Sequence, residues 1–323
     1  MLLFAHKGME LNFTPMTNRV HMNDEQKELV SVPQRALYLN TDAFLMLSGL
    51  LISYSFIGRL QRGRKIEIIK EIAGRYFRLV PPMAALMIFG TFIFPLIGSG
   101  PQWNMLVTYQ SELCKRTWWR NFLMIHNWFG FENICMTHMH HIGSDFELFI
   151  ASIFVIIFLH NSPKYGTIAI LILACASTAA NFVVSFTTRI SAYVLYGVEL
   201  VALHKLFKIF VTFYLFFSIS KLYDAANHLY ILPVYRFSVY AIGIYLGYRL
   251  RKHKNKKLTD TQVFLGWSLA GSMLVITCAI SIANQEYSPL MAACFNALAP
   301  VVWCFYFAWF IYVAQAGHKS KKL

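Results

Sequence analysis

The chain has 323 residues, 57% of them hydrophobic and 14% charged, with a mean hydropathy of +0.49. Soluble domains carry about 25% charged residues, so this composition excludes a water-soluble globular enzyme and predicts an all-α, polytopic membrane protein. The net charge of +14 does not point to nucleic acid, because the lysines and arginines gather in short loops between apolar runs, where they set orientation and meet anionic lipid.

The chain opens on MLLFAHKG, too little apolar sequence for a signal peptide or a full span; it reads as the tail of a partial first helix, with the lone His6 near its end. Residues 7–40 are polar and nearly neutral and predict an exoplasmic loop. They include Asn12 in a glycosylation sequon, with Pro15 just after it making a poor acceptor. The first full span is predicted near 40–58. At 1.5 Å per residue it crosses a hydrocarbon core of about 30 Å, and Asp42 at its start reads as a helix-capping acid. The next loop holds Arg59, Arg62, Arg64, Lys65, Lys70, Arg75 and Arg78, which the positive-inside rule places in the cytoplasm. Beyond that orientation signal, Arg75 and Arg78 are candidates for holding phosphate. A second span near 79–98 returns outward, with Pro81 and Pro82 near its first turn, where a missing N–H costs little.

Residues 102–145 predict a long exoplasmic loop, and long loops without clear periodicity tend to be functional. On an oxidising face Cys114 and Cys135 are a candidate disulfide. His138, His140, His141, Asp145 and Glu147 cluster at the end of this loop. They admit a zinc site, although the spacing matches no strong template. His140 and Asp145 also fit H-x-x-x-x-D, the spacing with which soluble glycerolipid acyltransferases activate a hydroxyl. Alternatively Asp145 and Glu147 stand at the mouth of a membrane cavity, where a carboxylate orients a histidine base. The plainest reading is a solvated helix start carrying first-turn acids.

Spans near 146–160 and 166–186, separated by NSPKY, predict a tight cytoplasmic hairpin. Further spans near 230–249, 260–283 and 290–314 bring the total to about seven full spans plus the partial first helix. Between the first two of these, Arg249, Arg251, Lys252, Lys254, Lys256 and Lys257 stand with no acid, the clearest cytoplasmic marker in the chain. It also puts the C-terminus in the cytoplasm. A single crossing at 206–220 would turn that marker outward, so 206–220 is expected to be re-entrant or interfacial. Cys175, Cys278, Cys294 and Cys304 lie in apolar runs and read as small core residues.

Taken in order, LLFAHKG, TDAFLMLSGLLISY, RYFRLVPPMAAL, CKRTWWRNFLMIHNWF, the Cys135-to-Glu147 segment, LYILPVYRFSVYAIGIYLGY and NALAPVVWCFYFAWFIYVAQAG resemble the nose-resistant-to-fluoxetine branch of the membrane acyltransferase-3 superfamily. Two patterns are specific. One is D-x-F-x-x-x-S-G-L-L, with Asp42, Phe44, Ser48 and Gly49; the other is Y-x-x-P-x-x-R-x-x-x-Y-x-x-G-x-x-x-G, with Tyr230, Pro233, Arg236, Tyr240, Gly243 and Gly247. The resemblance implies a multi-pass protein of the plasma membrane or endoplasmic reticulum that moves an acyl group from a cytoplasmic thioester to a hydroxyl acceptor in or beyond the membrane. Acyl-CoA is then the co-substrate, membrane lipids the surroundings, and no cofactor or metal is bound. His6 takes the place of the superfamily's key histidine, near a cavity lined by Asp42 and Asp145. Arg75 and Arg78 match its R-x-x-R-L-x-P segment, a contact for donor phosphates. This topology leaves His6 about 30 Å from the basic loop.

Where the family reads W-Y-L before the loop aspartate and glutamine two residues after it, this chain has His140-His141-Ile142 and Glu147. The arginine expected before His6, the last helices and the branch's cysteine-rich domain are missing, so a chain truncated at both ends is expected. A non-catalytic carrier or receptor for lipids or hydrophobic compounds is the other reading, since intramembrane polar residues mark transport paths as well as active sites.

Overall fold

A computed structural model describes residues 39–100, 103–190, 223–252, 258–283 and 288–315, and every regular element among them is helical. The long helices are α1 (Leu39–Leu60), α2 (Ile68–Ile97), α3 (Tyr109–Phe122), α4 (His140–Asn161), α5 (Pro163–Thr187), α6 (Pro233–Lys252), α7 (Asp260–Ala283) and α8 (Pro289–Gln315). His6, Asn12 and the 206–220 run lie outside the described residues, as does the side chain of Cys278.

Among the described residues five helices are long and apolar enough to cross a membrane, or six if Tyr223–Tyr230 and Pro233–Lys252, bent by 50°, form one span. The all-helical membrane class holds, while the expected seven spans are not confirmed. The α4–α5 hairpin forms with only Ser162 between its helices.

Two segments depart from expectation. The second membrane helix begins at Ile68 rather than near 79 and takes Arg75 and Arg78 into its body. Ile69, Ile72, Ala73, Tyr76 and Phe77 recur at i, i+3, i+4, i+7 and i+8, an apolar helical stripe that the basic residues beside it do not interrupt. Pro81 and Pro82 therefore sit inside the helix instead of at its start. At 30 residues α2 is about 45 Å long, more than a normal hydrocarbon core, so it must tilt or protrude. The long loop expected at 102–145 likewise contains α3, followed by three short 3-10 turns. The buried stripe of α3 is Ser111, Cys114, Thr117 and Asn121, spaced for a helix but too small and polar to register as hydrophobic periodicity.

Helix α1 is the centre of the bundle: 56% of its apolar window is buried, against 17% for α2 and α5. Its closest partner is α6, which runs parallel to it with almost no space between the backbones. A Cβ on Gly243 would stand 2.0 Å from the Met46 carbonyl oxygen, one on Gly247 2.4 Å from that of Leu50, and one on Gly49 2.6 Å from that of Tyr240. Gly243 and Gly247 make a G-x-x-x-G step, the small-residue spacing that lets membrane helices touch, and Ser53 Oγ donates to the Ile244 carbonyl at 2.7 Å across the same seam. The glycines of the two specific sequence patterns thus form one helix contact.

Candidate functional site

Helices α1, α2 and α4 meet at a charge pair. Arg75 of α2 donates through Nη2 to Asp145 of α4 and, at 2.8 Å, to Ser48 Oγ near the middle of α1. Its guanidinium lies 4.6 Å from the centroid of the Phe149 ring. The two charged side chains are 20% and 18% exposed, so water solvates neither well. Each needs the other, because an unpaired buried charge costs several kcal/mol. Tyr240 of α6 brings its hydroxyl alongside Ser48 and Ser152. Two polar atoms here meet no partner among the described residues: Arg75 Nε–H as a donor and Asp145 Oδ1 as an acceptor.

An apolar cleft of about 410 Å³ opens beside this pair, lined by Ile69, Ile72, Ala73, Tyr76, Phe77 and Phe146. Tyr76 follows Arg75 and Phe146 follows Asp145 in sequence, and the two rings approach to 6.1 Å. Charge and cleft are therefore set by neighbouring residues on the same two helices. Arg78, one turn beyond Arg75, is exposed and has no acidic partner among the described residues. The R-x-x-R pattern thus separates into one arginine turned into the bundle and one exposed.

Asp42 is not part of this site. Both its oxygens accept from Arg236 Nη1 at 2.8 Å, and the side chains are 1% and 5% exposed. The Arg236 guanidinium packs 4.7 Å from the Tyr230 ring centroid, and Tyr230 donates to Thr41 Oγ1 at 2.6 Å. Asp42 and Ser48, six positions apart on one helix, are separated by about 9 Å along its axis. The structure therefore places Asp42 and Asp145 in two separate ion pairs rather than around one cavity.

The end of the bundle near the start of α4 is covered by α3 and the turns after it. Cys114 and Cys135 are joined by a disulfide. Asn121 Nδ2 donates to the Cys135 carbonyl at 3.1 Å. His126 is fully buried; its Nε2–H donates to the Met139 carbonyl at 3.0 Å. Burial is the largest influence on this imidazole and holds its pKa below the ordinary 6.5. Trp128 Nε1–H donates to both carboxylate oxygens of Glu147, at 2.9 and 3.0 Å. At the break before α6, the Ile231 carbonyl accepts from Ser144 Oγ and, at 3.5 Å, from Asn127 Nδ2, which ties the cap to the bent element.

His140 and Asp145 do not pair. His140 and Asp145 lie five positions apart on α4, about 140° around its axis; Asp145 turns to Arg75, while His140 Nδ1 faces the Thr137 carbonyl at 2.8 Å. No three His, Cys, Asp or Glu side chains come together as a metal-ligand set among the described residues.

Comparison with known proteins gives the family. Residues 14–322 match the acyltransferase-3 family, described as an acyltransferase domain. The chain belongs to the acyltransferase-3 family. It is 23% identical over 241 residues to Nose resistant to fluoxetine protein 6 of Caenorhabditis elegans, a match covering 70% of this chain and 27% of that protein. It is also 27% identical over 164 residues to Regulator of hypoxia-inducible factor 1 of the same organism, covering 49% of this chain and 29% of the relative. The matched region thus spans under a third of the length of either relative. No solved structure matches the chain.

Within this acyltransferase-3 domain, sequence reasoning singled out Ser48, Gly49, Tyr230, Pro233, Arg236, Gly243 and Gly247 as pattern residues without seeing what they do. It also missed the Arg75–Asp145 and Asp42–Arg236 pairs. The signal was present: charges within apolar helices must find partners. That holds for Asp42 and Arg236, which both fall within predicted spans, whereas the basic loop and the long exoplasmic loop put Arg75 and Asp145 on opposite faces of the membrane.

Proposed function

We propose that this chain is an integral membrane acyltransferase that moves an acyl group from acyl-CoA to a hydroxyl acceptor in or across the membrane. The observation that supports this reading most directly is the Arg75–Asp145–Ser48 cluster held between helices at the edge of an apolar cleft. The cleft takes the acyl chain, and the unspent Arg75 Nε–H polarises the thioester carbonyl as negative charge develops on its oxygen. Arg78, exposed one turn away, contacts the phosphates of the donor. His6 removes the proton of the acceptor hydroxyl, whose oxygen attacks the thioester carbon. The carbon–sulfur bond breaks, and the proton on His6 passes to the leaving thiolate. Because Arg75 reaches Asp145 and Ser48 inside the bundle, the donor does not have to be met only at the basic loop.

Membranes containing the full-length protein, supplied with labelled acyl-CoA, test this. Asp145→Asn and Arg75→Gln are expected to lower labelled product at least tenfold, and Arg78→Ala to raise the KM for the donor more than it lowers kcat. A general base contributes roughly 10²- to 10⁴-fold, so equal incorporation by wild type and His6→Ala would remove His6 from that role. One observation also suits a non-catalytic lipid carrier: the cleft presents carbon alone at its walls. Lipid movement retained in His6→Ala, with no acyl product from either form, would favour the carrier.

A further inference from the structure

His140 opens α4 and is only 8% exposed. Its Nδ1 stands 2.8 Å from the Thr137 carbonyl. A carbonyl can only accept, so Nδ1 carries the proton and the neutral ring keeps its lone pair on Nε2. That lone pair is buried and meets no donor among the described residues. An unmet buried acceptor costs about 1–3 kcal/mol, and here it is surrounded by aromatic faces. The Tyr230 ring lies 4.9 Å away, Phe131 5.6 Å and His141 5.7 Å, centroid to centroid. The Tyr230 hydroxyl is committed to Thr41.

A buried water needs two to four polar partners, and apart from the Thr137 carbonyl the printed contacts of this imidazole among the described residues are with the rings of Phe131, Tyr230 and His141. An alcohol fits better: it donates one hydrogen bond and lays its carbon skeleton against the aromatic faces. We propose that His140 Nε2, walled by Phe131, Tyr230 and His141, is a binding site for the hydroxyl of a neutral alcohol. Identifying that alcohol as the acyl acceptor rests on the acyltransferase reading above; the binding itself does not. Entry of an alcohol then turns on Phe131. It is half-buried on a short 3-10 turn, anchored through its backbone N–H, which donates to Asn227 Oδ1 at 2.6 Å.

The test uses the full chain in lipid nanodiscs with ¹⁵N-labelled histidine side chains. The probes are cyclohexanol and cyclohexanone, which share a shape, although only the alcohol donates. Cyclohexanol is expected to shift the His140 Nε2 resonance saturably, with about a tenfold preference over the ketone, the worth of one hydrogen bond. The resonance is assigned with His140→Phe or His140→Gln, whichever folds. His140→Phe is expected to abolish saturable alcohol binding. Equal responses to the two probes, or no saturable response to either, would overturn the site. Alcohol binding without acyl transfer in the assay above would instead defeat the acyltransferase reading and leave this site standing.

Discussion

Asp42 and Arg236 are each too costly to bury alone, and that dependence can be measured. Asp42→Leu leaves a buried guanidinium without its counter-charge and is expected to destabilise the protein by about 3–5 kcal/mol. Arg236→Met should cost as much from the other side. Replacing both with apolar residues, Asp42→Leu with Arg236→Met, should recover most of the loss, because an apolar pair of similar volume is often no worse than a buried ion pair. Thermal midpoints of the four forms in detergent give the coupling as a double-mutant cycle. His126 makes a second residue-level prediction. Burial depresses its folded pKa below 6.5, so the unfolded chain takes up a proton that the folded protein refuses. Its contribution is complete above about pH 6.5 and is lost as pH falls below that value, with a slope of at most about 1.4 kcal/mol per pH unit. Melts between pH 7.5 and 5.5 should therefore fall more steeply for wild type than for His126→Gln; parallel curves would show that His126 is not the group responsible.

At the scale of elements, the α1–α6 seam allows no side chain at Gly243. Gly243→Ala places a methyl group 2.0 Å from backbone, and overpacking of this kind costs about 1–3 kcal/mol or more. Gly271→Ala in α7 is the control: a Cβ there meets nothing within 4 Å, and alanine improves an exposed helix by about 1 kcal/mol. The yield of monodisperse protein should drop for the first and hold or rise for the second. The same seam shows what could be read beforehand. Long apolar runs announce spans, so α1, α4, α5 and α8 were legible, and so were the glycine spacings, as patterns. The start of α2 was not, because its basic residues read as a loop while its apolar stripe continued through them. Nor was α3, whose buried face is Ser111, Cys114, Thr117 and Asn121. Pairing was the least legible feature of all: Asp145 has a histidine at the spacing of a known motif, yet the turn of the helix sends it to Arg75.

At the scale of the whole molecule, the described residues divide into a packed bundle around α1 and a cap fastened to one end of it. Breaking the Cys114–Cys135 bond releases a loop with a sequence separation of 21, worth about 3 kcal/mol in chain entropy. Reductant, or Cys114→Ala with Cys135→Ala, should therefore speed hydrogen exchange across the cap from α3 to the start of α4 and leave the α1–α6 seam protected. Uniform acceleration would show that cap and bundle open together. The seam also has a consequence for synthesis. Asp42 and Arg236 are 194 positions apart, and a ribosome adding 5–20 residues per second needs roughly 10–40 s to cover that interval. For that time α1 has been made and its arginine has not. The aspartate must wait protonated, at the membrane surface, or shielded by an insertion factor, and the central helix of the bundle is among the last to find its place.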